Sequence, residues 1–189
     1  VTHRLFVALP LPGEAREALQ ACQYELREYL PAGLVRWTKP DGMHVTLSFL
    51  GDVDGKAVPE LEEALEKACE PHRAFSLGLD GLGAFPQAGP PKVIWAGTRG
   101  DLRALHELQH DTERTAAPYA ANQDRKPFTG HVTLGRVRAQ PDRVGRALRA
   151  VEPEWPGTWP VVEARLMESE LTPQGSVYHV RAAFRLGGA

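Results

Sequence analysis

The tetrapeptide His-Val-Thr-Leu occurs twice in this chain, at residues 44–47 and 131–134, each time inside a run that reads as a β-strand. Side chains on a strand alternate between its two faces, so each copy turns His and Thr one way and Val and Leu the other. Val and Leu anchor the strand, while His and Thr are presented. A chain built around two such strands is constrained towards internal two-fold character. An approximate dyad would set one imidazole on each side of a shared cleft, each beside a hydroxyl donor, and such a cleft suits acid–base chemistry on a phosphate.

The rest of the chain can be divided around these strands. Residues 3–9 read as a strand, and 14–30 as an amphipathic helix with Ala18, Leu19, Cys22, Leu26 and Leu30 near helical spacing, stopped by Pro31. The first motif strand spans 43–50 and closes at Gly51-Asp52. A helix then carries Val58, Leu61, Leu65 and Ala68 to Pro71. Strands are expected at 75–85 and 92–98, a helix at 101–115, the second motif strand at 129–137 and a short helix at 142–151. Two long strands, 161–171 and 176–185, finish the chain, joined by Thr172-Pro173-Gln174-Gly175. Each half runs helix, motif strand, helix, strands. That order favours an α+β duplicate, bilobal and spanning 1–189 as one domain, with two antiparallel β-sheets flanking an active-site groove. Outside the tetrapeptides the halves share little residue-level identity.

At 189 residues and 42% hydrophobic content the chain can bury a real core, which excludes disordered and fibrous classes. Twenty-two basic against 24 acidic residues leave a net charge of −2, so no global field exists for wrapping long nucleic acid. A nucleic-acid substrate is expected to be gripped at an end. The second half does hold a basic run of Arg125, Lys126, Arg136, Arg138, Arg143, Arg146 and Arg149, readable as a solvated helix face or as a phosphate-facing rim. Cys22 and Cys69 match no metal-ligand spacing and read as reduced core thiols of a cytoplasmic protein. No membrane span or signal core is expected, and a monomer is the expected state.

Opening a cyclic phosphodiester by in-line displacement needs a base on the attacking water and an acid on the leaving oxygen, on opposite sides of phosphorus. Two imidazoles across a cleft supply both, because an unperturbed pKa of about 6.5 lets one ring be neutral and the other protonated near neutral pH. Each Thr hydroxyl can donate to a non-bridging oxygen as its charge grows. No metal or other cofactor is expected, since neither tetrapeptide is followed by a nearby carboxylate or third imidazole.

These motifs, with Arg4-Leu5-Phe6-Val7-Ala8-Leu9, Arg36-Trp37, Ser48-Phe49-Leu50-Gly51, Gly81-Leu82-Gly83-Ala84-Phe85-Pro86, Val93-Ile94-Trp95-Ala96-Gly97 and the run from Glu168 to Tyr178, make the chain resemble the two-histidine phosphoesterases. The likeness is to the RNA 2′,3′-cyclic phosphodiesterases, also called 2′-5′ RNA ligase-like proteins, and it covers nearly the whole chain. The resemblance implies metal-independent hydrolysis of a 2′,3′-cyclic phosphate at an RNA 3′ end to a 2′-phosphate, with weak reversible 2′-5′ joining in some members. It assigns His44 to protonate the departing 3′ oxygen and His131 to activate water, while Thr46, Thr133 and Arg136 hold the phosphate. Two positions depart from the pattern. Gly130 stands where relatives commonly have Pro, which implies a looser start to that strand. Arg136 lies five residues after His131, so strict alternation turns it away unless the strand bends. Phe6 is the candidate for stacking a terminal base and Trp37 a second, each competing with a core role; Trp95, Trp155 and Trp159 are assigned to core or loop.

Two other readings compete. His106-Glu107-Leu108-Gln109-His110 matches the zinc-peptidase pattern H-E-x-x-H on an expected helix, but no third ligand follows at the spacing of the extended motif. A non-catalytic RNA-end binding module would use the same cleft without turnover. Gly78, Gly81 and Gly83 have the wrong spacing for a dinucleotide fingerprint and are expected to be strand or bulge glycines.

Overall fold

The computed structural model describes residues 1–121, 127–173 and 175–187. Arg125, Lys126, Asn122 to Asp124 and the hairpin residue Gln174 therefore lie outside the described residues. In chain order the elements are β1 (Thr2–Leu9), α1 (Gly13–Tyr29), β2 (Val35–Trp37), β3 (Val45–Asp54), α2 (Val58–Cys69), β4 (Phe75–Phe85), β5 (Val93–Gly100), α3 (Leu102–Ala116), β6 (His131–Val137), α4 (Asp142–Ala150), β7 (Trp159–Val161), β8 (Glu163–Thr172) and β9 (Gly175–Arg185).

The strands are antiparallel throughout, in the order β7-β4-β5-β6-β3-β1-β8-β9, with β2 added beside β6. The two expected sheets are the two sides of this path. They meet where the motif strands β3 and β6 touch through a single pair, Val45 opposite Val132. On either side of that seam the order is matched: β3 is followed outward by β1 and β8, and β6 by β5 and β4. The chain crosses from side to side as it goes. After α2 it enters β4 beside β5, and after α4 it adds β7 beside β4 before entering β8 beside β1, so each side is completed by strands from both halves of the sequence.

Helix faces follow the apolar spacing. Ala15, Leu19, Cys22 and Leu26 bury one stripe of α1, and Val58, Leu61, Leu65 and Cys69 one stripe of α2. α1 packs on α4 and α2 on α3. The Val and Leu of both motifs are buried in the core, Val45, Leu47, Val132 and Leu134 among them. His44, Thr46, His131 and Thr133 alternate with them and remain partly open. The basic run divides: Arg143, Arg146 and Arg149 lie along α4, away from its buried Val144 and Ala147. Among the described residues, no helix is long and apolar enough to cross a membrane.

Gly51 does not close β3. The strand continues to Asp54, and Gly51, with φ of 73° and paired with Leu5, follows Leu50, the extra residue at which the register against β1 slips. Gly81 acts likewise in β4, with φ of 58° at a slip against β5.

Candidate active site

The antiparallel pair Val45–Val132 fixes the site. Continuing that register brings Thr46 towards His131 and His44 towards Thr133, so each imidazole faces the hydroxyl of the other motif. The rings do not share an environment. His44 lies just before β3, its ring centroid 4.8 Å from Phe6 and 5.6 Å from Tyr178. His131 opens β6, with Phe85 at 5.0 Å and Trp95 at 6.1 Å. Two aromatic rings thus hold each imidazole, one pair on each side of the seam.

Nδ1 of His131 sits 2.7 Å from the Thr129 carbonyl. A carbonyl can only accept, so Nδ1 carries the hydrogen and Nε2 is left to face the cleft. Burial, foremost, and then Arg16 and His131 hold His44 down to about 4, well below the ordinary imidazole value. Burial also lowers His131, with the Thr129 carbonyl opposing it and Arg136 adding to it. Both rings are therefore neutral at pH 7 before an anion binds.

Arg136 reaches this face through a bulge. Thr133 pairs with Trp95 and Gly135 with Ile94, so β6 carries one extra residue between them and the alternation is reset. Leu134 and Gly135 are buried in succession and Arg136 is exposed, on the side of Thr133. Directly opposite it in β2 stands Arg36, whose Nη2 lies 3.0 Å from where a Cβ on Gly175 would sit. Arg36 thus spans from β2 to the β8–β9 turn. With Arg16 these guanidiniums give the cleft positive charge that the net charge of the chain does not reveal.

The same bulge occurs in β3. Thr46 pairs with Ala8 and Ser48 with Val7, leaving Leu47, the last residue of the first motif, as the extra residue. Buried glutamines reach the carbonyl of the extra residue in each strand, that of Leu134 also accepting from the Thr38 N–H at 2.9 Å. Gln23 of α1 donates from Nε2 to the Leu134 carbonyl at 2.8 Å and to the Thr38 carbonyl at 2.8 Å. Gln109 of α3 donates from Nε2 to the Leu47 carbonyl at 3.3 Å. The last carbonyl of each His-Val-Thr-Leu is thus tied to a helix.

Several expectations are corrected here. Phe6 is only 2% exposed, packed on His44, Phe49 and Tyr178; its ring supports the imidazole and has no free face for a base. Trp37 lies under the Arg27 guanidinium and beside the core. Trp95 leaves the core category: it stands by His131 across from Gly83, where a Cβ would overlap the indole. Gly130 does not loosen β6. A Cβ there would come within 2.5 Å of Thr98 Oγ1 and 2.7 Å of Leu105, and Thr98 Oγ1 donates to its carbonyl at 3.2 Å. The start of β6 is packed to the limit that glycine allows.

The sequence reading missed Tyr178, Arg16, Gln23 and Gln109. None had a local sign in the sequence; the Tyr178 ring packs where a Cβ on Gly42 would meet it at 2.9 Å, a contact only the fold creates. His106 and His110 do sit on helix α3, lining with Arg103, Glu107 and Asp111 a recess of about 510 Å³ away from both motif histidines. Glu107 is bonded by Arg103, and Asp111 by His72 and Arg114. Among the described residues no three His, Cys, Asp or Glu side chains are grouped to hold a metal ion.

The LigT-like phosphoesterase family model matches residues 9–95 and 100–178. The chain belongs to this family. It is 31% identical over 175 residues to the RNA 2′,3′-cyclic phosphodiesterase of Archaeoglobus fulgidus, covering 93% of this chain and 96% of the relative. It is 34% identical to the one of Thermus thermophilus, covering 98% and 91%. Among solved structures, Escherichia coli LigT complexed with 3′-AMP superposes with a TM-score of 0.79 at 27% identity over the whole of both chains. A Thermus thermophilus protein superposes with a TM-score of 0.77 at 32% identity, covering 98% of each.

Proposed function

We propose that this chain hydrolyses the 2′,3′-cyclic phosphate at an RNA 3′ end to a 2′-phosphate. The observation that carries this reading is the convergence of the two His-x-Thr motifs on the Val45–Val132 seam, with the Nε2 of His131 left free by the Thr129 carbonyl. His131 is the base that takes a proton from water, and His44 the acid that gives one to the departing O3′. Water attacks phosphorus in line with O3′, the P–O3′ bond breaks, and the 2′ ester remains. The negative phosphodiester, set between the two rings, offsets Arg16 and lets His44 hold the proton it lacks in the free protein. Thr46 and Thr133 donate to the non-bridging oxygens, and Arg136 pairs with their charge. The likeness to a LigT structure holding 3′-AMP supports a nucleotide in this cleft.

The reaction as written uses no metal, and 2′-5′ joining follows from it when a 5′ hydroxyl attacks in place of water. We place the protein in the cytoplasm as a monomer, a setting in which both buried cysteines stay reduced. The test supplies chelated protein with a short RNA ending in a 2′,3′-cyclic phosphate and identifies the product isomer, alongside His44→Ala and His131→Ala. A 2′-phosphate from the parent, with each variant down by roughly 10² or more, is the expected result. A parent that binds the RNA end without turnover would leave a binding module, and turnover surviving in either variant would remove the pair.

A further inference from the structure

Arg36 of β2 and Arg136 of β6 stand directly opposite each other in an antiparallel pair. Like charges placed this way repel and weaken a sheet. Nothing in the protein relieves them: among the described residues neither arginine takes part in an ion pair. Both belong to the cleft face. Arg136 lies on the side of Thr133, and Trp37, the residue after Arg36, turns the other way with its ring under Arg27 of α1. Both arginines are exposed, and Arg36 extends towards the β8–β9 turn, where Gly175 leaves room for its Nη2.

Two uncompensated guanidiniums side by side form a site for anions, because a phosphate at each removes the repulsion and each planar fork matches phosphate oxygens. Arg136 is taken by the reacting phosphate. On an RNA end the next phosphate is the one on O5′ of the same ribose, a single sugar away. Side chains on directly paired residues start about 5 Å apart, so two long arginine arms can straddle that sugar. We propose that Arg36 binds the phosphate on O5′ of the terminal nucleotide, so that the protein prefers ends carrying this group, either as the internal phosphodiester of a strand or as a 5′-monophosphate. This inference rests on the RNA-end reading above and makes Arg36 a specificity residue for it.

The test measures kcat/KM on three substrates: a nucleoside 2′,3′-cyclic phosphate, the same compound with a 5′-monophosphate, and a dinucleotide with the same 3′ end. The parent should favour the latter two by about tenfold to a hundredfold, as charge-assisted hydrogen bonds imply. That ratio should collapse towards one in Arg36→Gln and return in part in Arg36→Lys. For the dinucleotide, Arg36→Gln should also make the fall of log(kcat/KM) with log salt shallower by about 0.7. A gain confined to the 5′-monophosphate would keep the site and make its occupant a free nucleotide. A gain confined to the dinucleotide would credit the upstream nucleoside and overturn the site, as would an unchanged ratio in Arg36→Gln or equal losses on all three substrates. If the parent turned over none of them, the hydrolase reading would fail instead. The site would then be judged by calorimetry, in which the parent must bind adenosine 3′,5′-bisphosphate more tightly than 3′-AMP and Arg36→Gln must not.

Discussion

Burial, Arg16 and the opposing His131 lower His44, and burial with Arg136 lowers His131, so in the free protein the productive form, with one proton on the pair, is populated on the acid side of about 6.5. Above that range both rings are neutral and the acid has nothing to give. We therefore expect kcat/KM to fall as pH rises from about 6 to about 8, towards about tenfold per unit. Arg16→Gln should move this limb upward, because it removes a positive charge that opposes protonation of His44. A profile rising over the same range would remove His44 as the proton donor. The histidines and threonines were legible because their motif repeats. Their neighbours were not: Tyr178, Trp95 and Phe85 come from β9, β5 and β4, and an aromatic residue in a strand carries no local mark of what its ring will touch.

At the scale of elements, the site depends on two bulges. A bulge is a property of the register between strands, which is why alternation along one strand sent Arg136 to the wrong face. The glutamines that complete these bulges were hidden for the opposite reason. Gln109 sits inside a helical segment whose flanking histidines suggest a metal motif, yet its work is to bond the Leu47 carbonyl. Replacing it by Leu keeps the bulk and leaves that carbonyl unpartnered, at a cost of about 1–3 kcal/mol. Gln23→Leu removes one of two donors to the Leu134 carbonyl, which keeps the Thr38 N–H at 2.9 Å, so it should cost less than that and blunt Arg136. The check is chemical denaturation together with the KM for the cyclic phosphate: Gln23→Leu should lower stability and raise KM, and loss of stability with KM unchanged would show that the bulge does not depend on the glutamine.

Across the whole molecule, helix and strand periodicity located the elements to within a few residues, and the matched order of the halves implied the dyad. The joining of both sides through one pair, and the crossing of β4 and β8, were beyond reach because strand partners at long separation leave no trace in one sequence. The cleft on that seam also gives the fold a pH limit. Unfolded, His44 binds a proton at about 6.5; folded, it does so at about 4. Between those values the unfolded chain holds more protons, so stability falls as pH drops from about 6.5 and the loss levels off below about 4. At a pH of about 4.5 the loss from this group amounts to about 2–3 kcal/mol. Urea denaturation at neutral pH and at that lower pH should therefore show a larger drop for the parent than for His44→Gln. Inorganic phosphate, bound between the rings, should return part of the parent's loss at the lower pH. Equal drops in parent and variant would mean that His44 is not held neutral by its surroundings, and the fall in activity with rising pH expected of it would lose its cause.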